Sequence, residues 1–128
     1  MEFVPAVRQA FQRYVDLKGR ASRSEYWWFI LFTVLVSFIC GILDMVLDSV
    51  IGTGDLLLPL GTIALLVPSI TVAVRRLHDL DRSGWWVLLG LIPVIGEIIL
   101  IVWFATPGSP GPNRYGGDPL GGQKPVPA

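Results

Sequence analysis

The chain predicts an all-α integral membrane domain. Three observations carry that expectation. Of its 128 residues, 52% are hydrophobic and only 16% are charged, where a soluble domain carries roughly a quarter charged residues. Three apolar runs approach the roughly 20 residues that cross a hydrocarbon core as a helix. Basic residues gather beside alternate ends of those runs, the asymmetry that orients membrane spans. Three such runs in so short a chain leave too little polar surface to cover a soluble fold. The mean hydropathy of +0.60 points the same way.

The first predicted element is an amphipathic helix over residues 3–17. Val4, Val7, Phe11 and Tyr14 recur at helical spacing, and Arg8, Gln12 and Arg13 fall largely elsewhere. Pro5 suits a first turn. A helix of this kind is expected to lie on the membrane surface.

The first span is expected over residues 26–47. Ser22, Arg23, Ser24 and Glu25 before it fit a capping box, with Ser22 as N-cap and Glu25 three residues on. Basic residues spread over the preceding stretch, and the run is too long for the apolar core of a cleaved signal. The second span is expected over residues 56–74, with Pro59 and Pro68 inside it, and the third over 85–104, with Pro93 inside it. Neighbouring helices can satisfy carbonyls that internal prolines free. Asp81 or Ser83 is placed to cap the third. Residues 1–105 thus form one membrane domain. Residues 106–128 form a tail too rich in glycine and proline for a long regular element.

Arg8, Arg13, Lys18, Arg20 and Arg23 precede the first span, and the loop from Asp48 to Asp55 has no basic residue. Arg75, Arg76 and Arg82 lie between the second and third spans, and only Arg114 and Lys124 follow. The positive-inside rule then places the N-terminus and the second loop in the cytoplasm, and the first loop and the tail outside. Tyr26, Trp27, Trp28, Trp85 and Trp86 would anchor the cytoplasmic interface, and Trp103 and Phe104 the other.

Net charge is zero and Cys40 is the single cysteine. No global field draws in nucleic acid, and no internal disulfide or cysteine-built zinc site can form. No cofactor is expected. The polar residues form three groups. The first is Arg20, Arg23, Glu25, Arg75, Arg76, His78, Asp79 and Arg82, at the expected cytoplasmic face. On a helix continued to Arg82, Arg75–Asp79, His78–Arg82 and Asp79–Arg82 stand at contact spacing, with Glu25 or Asp16 as further partners. This group is expected to tie the helix bases together. Arginines and indoles at an interface also suit anionic head groups. His78, Asp79 and Asp81 supply donor types that a divalent metal accepts, but there is no second histidine to complete a set. Acid–base catalysis by His78 with Asp79 or Asp81 is the enzymatic alternative.

The second group is Ser37, Thr62 and Glu97, at similar expected depth. A charged side chain near mid-bilayer costs about 2.5–3.5 kcal/mol on insertion scales. Glu97 should therefore face protein or water, or be protonated, and a hydrogen bond to Thr62 is the simplest expectation. An ion path through Glu97 would need an oligomer. Ser37 and Gly41 make a small-xxx-small pair suited to a close helix neighbour. The third group, Asn113, Arg114, Tyr115 and Asp118, gives the tail its varied side chains and a candidate turn.

Four stretches carry a resemblance: Gly19 to Trp27 (GRASRSEYW), Arg75 to Asp79 (RRLHD), Asp81 to Trp86 (DRSGWW) running into Leu91-Ile92-Pro93, and Gly108 to Pro119 around Asn-Arg-Tyr-Gly. In combination they resemble the small multi-pass bacterial inner-membrane proteins grouped as domain of unknown function 805, the YhaH-like proteins. Gly117 stands where that family often has proline. The resemblance implies a bacterial inner-membrane location and no assigned activity. It also raises a tension: its motifs would share one site only if the tail were cytoplasmic, with the third segment re-entrant around Pro93 and Gly96. Three full spans remain the expectation. The functional expectation is a non-catalytic scaffold or modulator that contacts membrane lipid, as a homo-oligomer or with a membrane-protein partner. The alternatives are a small oligomeric transporter or channel using Glu97, and a membrane-embedded enzyme using His78 and Asp79.

Overall fold

A computed structural model describes residues 2–120. Its elements are α1 (Phe3–Gln12), α2 (Arg23–Ile51), α3 (Leu57–Asp79), a 3-10 helix (Gly84–Leu91) and α4 (Ile95–Ala105). The end where α2 begins and α3 finishes is here called the base. Lys124 and the last part of the tail lie outside the described residues.

Helix α1 is shorter than the 3–17 expected, and its inner face differs. Ala6 and Ala10 are buried while Val4 is 59% exposed. Phe3 meets Trp28 and Phe32, and Phe11 meets Phe29 and Phe32. The helix therefore packs on α2 through small residues and rings. It ends because Asp16 offers a competing set of bonds: it accepts from Arg13 Nε at 3.0 Å and from the Lys18 amide at 3.0 Å. The Lys18 amide and the Arg13 guanidinium hold the Asp16 carboxyl below the usual carboxylate range.

Ser22 caps α2 as expected, its hydroxyl accepting from the Glu25 amide at 3.2 Å. The helix runs 29 residues, about 43 Å at 1.5 Å per residue. Gly52 closes it in a left-handed conformation (φ 66°), which glycine adopts without a side-chain clash. Among the described residues, helices α2 and α3 are the two long enough and apolar enough to cross a membrane.

Helix α3 has no side-chain cap of its own. Asp44 supplies one from within α2: its carboxylate accepts from the amides of Leu56, Leu57 and Leu58 at 3.2, 2.7 and 2.7 Å. The negative charge sits at the positive end of the helix dipole, and three otherwise orphaned donors are satisfied. Farther along, Pro68 lacks the N–H that would bond Ala64 four residues back. The Tyr14 hydroxyl donates to that freed Ala64 carbonyl. Thr71 Oγ1 returns a bond to the Tyr14 carbonyl at 2.9 Å. Tyr14, in the segment that follows α1, thus repairs the proline gap in α3.

The third expected span is not one helix. The 3-10 helix covers eight residues and α4 eleven. At about 2.0 and 1.5 Å per residue, each leg is about 16 Å long. Between them Val94 takes φ 67°, ψ −65°, and the Ile95 amide donates to the Pro93 carbonyl at 2.7 Å. This is a strained three-residue turn, rare for a β-branched residue. Gly96 lets the legs touch, since a Cβ there would lie 1.8 Å from the Leu89 carbonyl oxygen. Both legs end at the base: a Cβ on Gly84 would press on Val74, and the Phe104 carbonyl accepts from Trp27 Nε1 at 3.1 Å. The segment is a hairpin that goes up and returns, which corrects the expectation of a continuous helix over 85–104.

Candidate functional site

The polar cluster and the tail form one constellation at the base. Residues 13–22 carry Arg20 there, where the Ala21 amide donates to the Arg75 carbonyl at 2.9 Å. Helix α3 closes with bonds from the Asp81 amide to the His78 carbonyl and from the Arg82 amide to the Leu77 carbonyl, Asp81 taking a left-handed φ of 58°. That is a Schellman ending with Asp81 in place of glycine. Ser83 then caps the 3-10 helix through the Trp85 amide.

Asp79 is the hub. Its Oδ1 accepts from Arg20 Nε at 2.9 Å and lies 2.8 Å from Nη2, and its Oδ2 accepts from Arg76 Nη1 at 2.6 Å. Its carbonyl accepts from the Ser109 amide at 2.7 Å. The other Arg20 donors reach tail carbonyls: Ser109 at 2.5 Å, Gly111 at 2.6 Å and Gly116 at 3.3 Å. Arg76 turns Nε and Nη2 to the Phe104 carbonyl at 3.1 and 3.0 Å, and Nη2 also to Thr106. It therefore sits at the negative end of the α4 dipole. A second buried pair joins Arg75 Nη1 to Glu25 Oε2 at 2.5 Å, with Gln9 Nε2 donating to Oε1 at 3.3 Å. Nε and Nη2 of Arg75 are buried with no protein partner among the described residues.

The tail motif folds over this hub. Asn113 and Gly116 exchange backbone bonds at 2.9 and 3.1 Å. Asn113 Nδ2 donates to the His78 carbonyl at 2.9 Å and to Ser109 Oγ at 2.7 Å, and Oδ1 accepts from the Tyr115 amide at 2.8 Å. The Tyr115 ring stacks on His78 at 4.0 Å and 3°. His78 Nδ1 lies 3.0 Å from the Gly19 carbonyl; that oxygen only accepts, so Nδ1 carries the hydrogen. Asp118 accepts from the Gly111 and Leu120 amides, each at 3.0 Å. Arg114 pairs with exposed Asp81 at 3.2 Å. At the rim Arg23 donates to the Ala105 carbonyl at 3.1 Å, and Arg82 lies over the Trp103 ring at 4.1 Å.

The structure thus joins the first and third predicted groups. It corrects their pairing: the Arg75–Asp79, His78–Arg82 and Asp79–Arg82 pairs that helix spacing suggested do not form, Glu25 is the partner of Arg75, and Asp16 pairs with Arg13. The predicted layer of Ser37, Thr62 and Glu97 does not form. Thr62 is exposed and donates to its own Leu58 carbonyl at 2.8 Å, Ser37 is half-buried on α2, and Glu97 is exposed in the first turn of α4. Asp44, Gln9 and Tyr14 stand outside the three predicted groups and serve as the cap of α3, a second donor to Glu25 and the bridge over the Pro68 gap. Among the described residues no three His, Cys, Asp or Glu side chains gather as metal ligands. Asp79 is covered too closely for a ligand, because a Cβ on Gly108 would lie 1.9 Å from its Oδ2.

A family profile described as a protein of unknown function, DUF805, matches residues 14–117. The chain belongs to the DUF805 family. That range runs from the proline-bridging Tyr14 to the end of the tail turn, so it holds the whole hub. The chain is 45% identical over 112 residues to the inner membrane protein YhaH of Escherichia coli K12, covering 87% of this chain and 93% of the relative. It is 43% identical over 108 residues to the inner membrane protein YhaI of the same strain, covering 84% and 89%. No solved structure matches the chain. As a DUF805 member it has relatives that are named for their membrane and not for a reaction.

Proposed function

We propose that this DUF805 protein is a non-catalytic scaffold or modulator in the bacterial inner membrane. In this reading α2 and α3 cross the bilayer and the 84–105 hairpin enters and leaves from the base. The base is cytoplasmic, as the arginine distribution argues. The exposed basic residues Arg8, Lys18 and Arg23 meet anionic lipid there, and α1 lies at the interface.

The observation that carries this reading is the use of the polar groups. Asp79, Arg20 and Arg76 spend their polar atoms on joining the tail, the hairpin and α3, and half-buried His78 is stacked on Tyr115 with Nδ1 on the Gly19 carbonyl. A catalytic aspartate or histidine needs a face open to substrate, and Asp79 is 1% exposed. Buried ion pairs of this kind hold elements in register at little net gain in stability.

The test is co-purification in mild detergent. A membrane partner in fixed stoichiometry is expected with the natural protein and with His78→Phe, which keeps the ring stack and removes the imidazole nitrogens. Loss of the partner in a well-folded His78→Phe would move the function to His78 chemistry. The exposed carboxyl of Glu97 favours a second reading, an oligomeric ion path. Proton or ion leak in reconstituted vesicles that disappears in Glu97→Gln would establish it in place of the first.

A further inference from the structure

Helix α2 carries a groove at its base end. Ser24, Trp27, Trp28 and Leu31 line it, at the spacing that puts side chains on one helix face. Neighbouring elements fix both indoles. Trp28 meets the ring of Phe3 edge-on at the start of α1, and Trp27 donates to the Phe104 carbonyl at the end of α4. Below the groove the same face continues as Val34, Leu35 and Phe38, all exposed. Trp28 and Phe38 stand ten residues apart, about 15 Å of helix, and the half-thickness of a hydrocarbon core is about 15 Å. The groove and the stripe beneath it thus match the depth of one leaflet.

Arg23 stands at the mouth, one turn before Trp27, and is exposed. Its Nη1 donates to the Ala105 carbonyl at 3.1 Å, and among the described residues it makes no other hydrogen bond and no ion pair. Nε and Nη2 form the other edge of the guanidinium, a planar fork that fits two oxygens of one phosphate. The mouth therefore presents an unneutralised positive charge and an open two-donor edge directly above an apolar channel. That is the order of parts in a phospholipid: a phosphate at the surface and an acyl chain beneath it.

We infer that this groove holds an anionic phospholipid, its phosphate on the Nε–Nη2 edge of Arg23 and one acyl chain between Trp27 and Trp28 and along Leu31 to Phe38. The inference rests on the membrane placement in the scaffold reading and gives the lipid contact of that reading a defined site. A zwitterionic headgroup has the same phosphate but brings an ammonium up to the guanidinium, so lipids of net negative charge are preferred. One basic residue at a membrane surface is worth about a fivefold preference.

The experiment places the full chain in phosphatidylethanolamine nanodiscs with a trace of phosphatidylglycerol carrying a diazirine in one acyl chain. Adducts are expected on the peptide that holds residues 24–38. Unlabelled phosphatidylglycerol should compete about fivefold better than phosphatidylethanolamine. Arg23→Gln, which can still donate to the Ala105 carbonyl, should lower the adduct by the same factor and abolish the preference, with unchanged melting in detergent. Arg23→Lys keeps the charge without the fork and should restore only part of it. Lys18→Gln, which removes an exposed cation that does not line the groove, should leave the adduct unchanged. A fall as large in Lys18→Gln as in Arg23→Gln makes the attraction a property of the whole surface; it overturns the site and leaves the scaffold reading standing. Equal competition by the two lipids, labelling spread evenly along α2 and α3, or labelling lost when a disc holds two chains in place of one does the same. Absence of adducts from both α2 and α3 contradicts the bilayer placement and overturns both.

Discussion

The guanidinium of Arg20 and the carboxylate of Asp79 meet at 2.8 Å across 59 residues of chain, both side chains 1% exposed. Arg76 holds the other oxygen of the same carboxylate. Removing Asp79 leaves two buried cations without their anion. Loss of one partner of a buried pair costs about 3–5 kcal/mol. Asp79→Ala is therefore expected to lower the melting temperature in detergent sharply, whereas Arg114→Ala, at an exposed pair, should change it little. Equal effects would contradict the hub.

The tail is held by close approach as much as by charge. Gly108 lies where any side chain would strike Asp79. Gly108→Ala should displace the tail and expose residues 106–120 to protease, while Gly117→Ala, with open space around it, should not. Overpacking of this kind costs typically about 1–3 kcal/mol. Limited proteolysis followed by mass measurement reads the difference.

The bridge from Tyr14 to Ala64 makes a prediction that only a double substitution can check. Tyr14→Phe removes the donor that serves the carbonyl freed by Pro68. A typical net loss is about 0.5–1.5 kcal/mol. In a Pro68→Ala background the helix can serve Ala64 itself, so the same change should cost less. A double-mutant cycle without coupling between the two sites would refute the bridge.

Asp44→Ala should uncap α3. Caps are worth about 0.5–2 kcal/mol, and this one gathers three amides, so the upper end is expected. Asp48→Ala, which loses one bond to Gly54 at an exposed loop, should cost less. Unfolding of the detergent-solubilised variants compares the two.

Much of the fold can be read in the chain and some of it cannot. Ser22 and Glu25 mark the start of α2 because capping is local. The run from Trp85 to Phe104 misleads because hydropathy measures transfer into lipid and is blind to direction. A helix that crosses and a hairpin that returns bury the same residues. Pro93 and Gly96 carry the signal, one stopping a helix and the other admitting a backbone. The constellation was visible as residue types but not as pairs. Helix spacing sees partners three or four residues away, while Arg75 finds Glu25 across 50 residues and Arg20 finds Asp79 across 59. Asp44 escaped because its role depends on where the next helix begins.

The returning hairpin puts the tail and the arginine hub at one end of the protein, and the proposed topology puts that end in the cytoplasm. Gly117 is exposed and has open space around it. A single cysteine there, in a Cys40→Ser background, can be labelled in intact cells with an impermeant maleimide. Controls at Gln12 and Thr53, both exposed, report the two sides. The account predicts that Gly117→Cys stays protected until lysis, as Gln12→Cys does. Labelling of Gly117→Cys in intact cells alongside Thr53→Cys would contradict it.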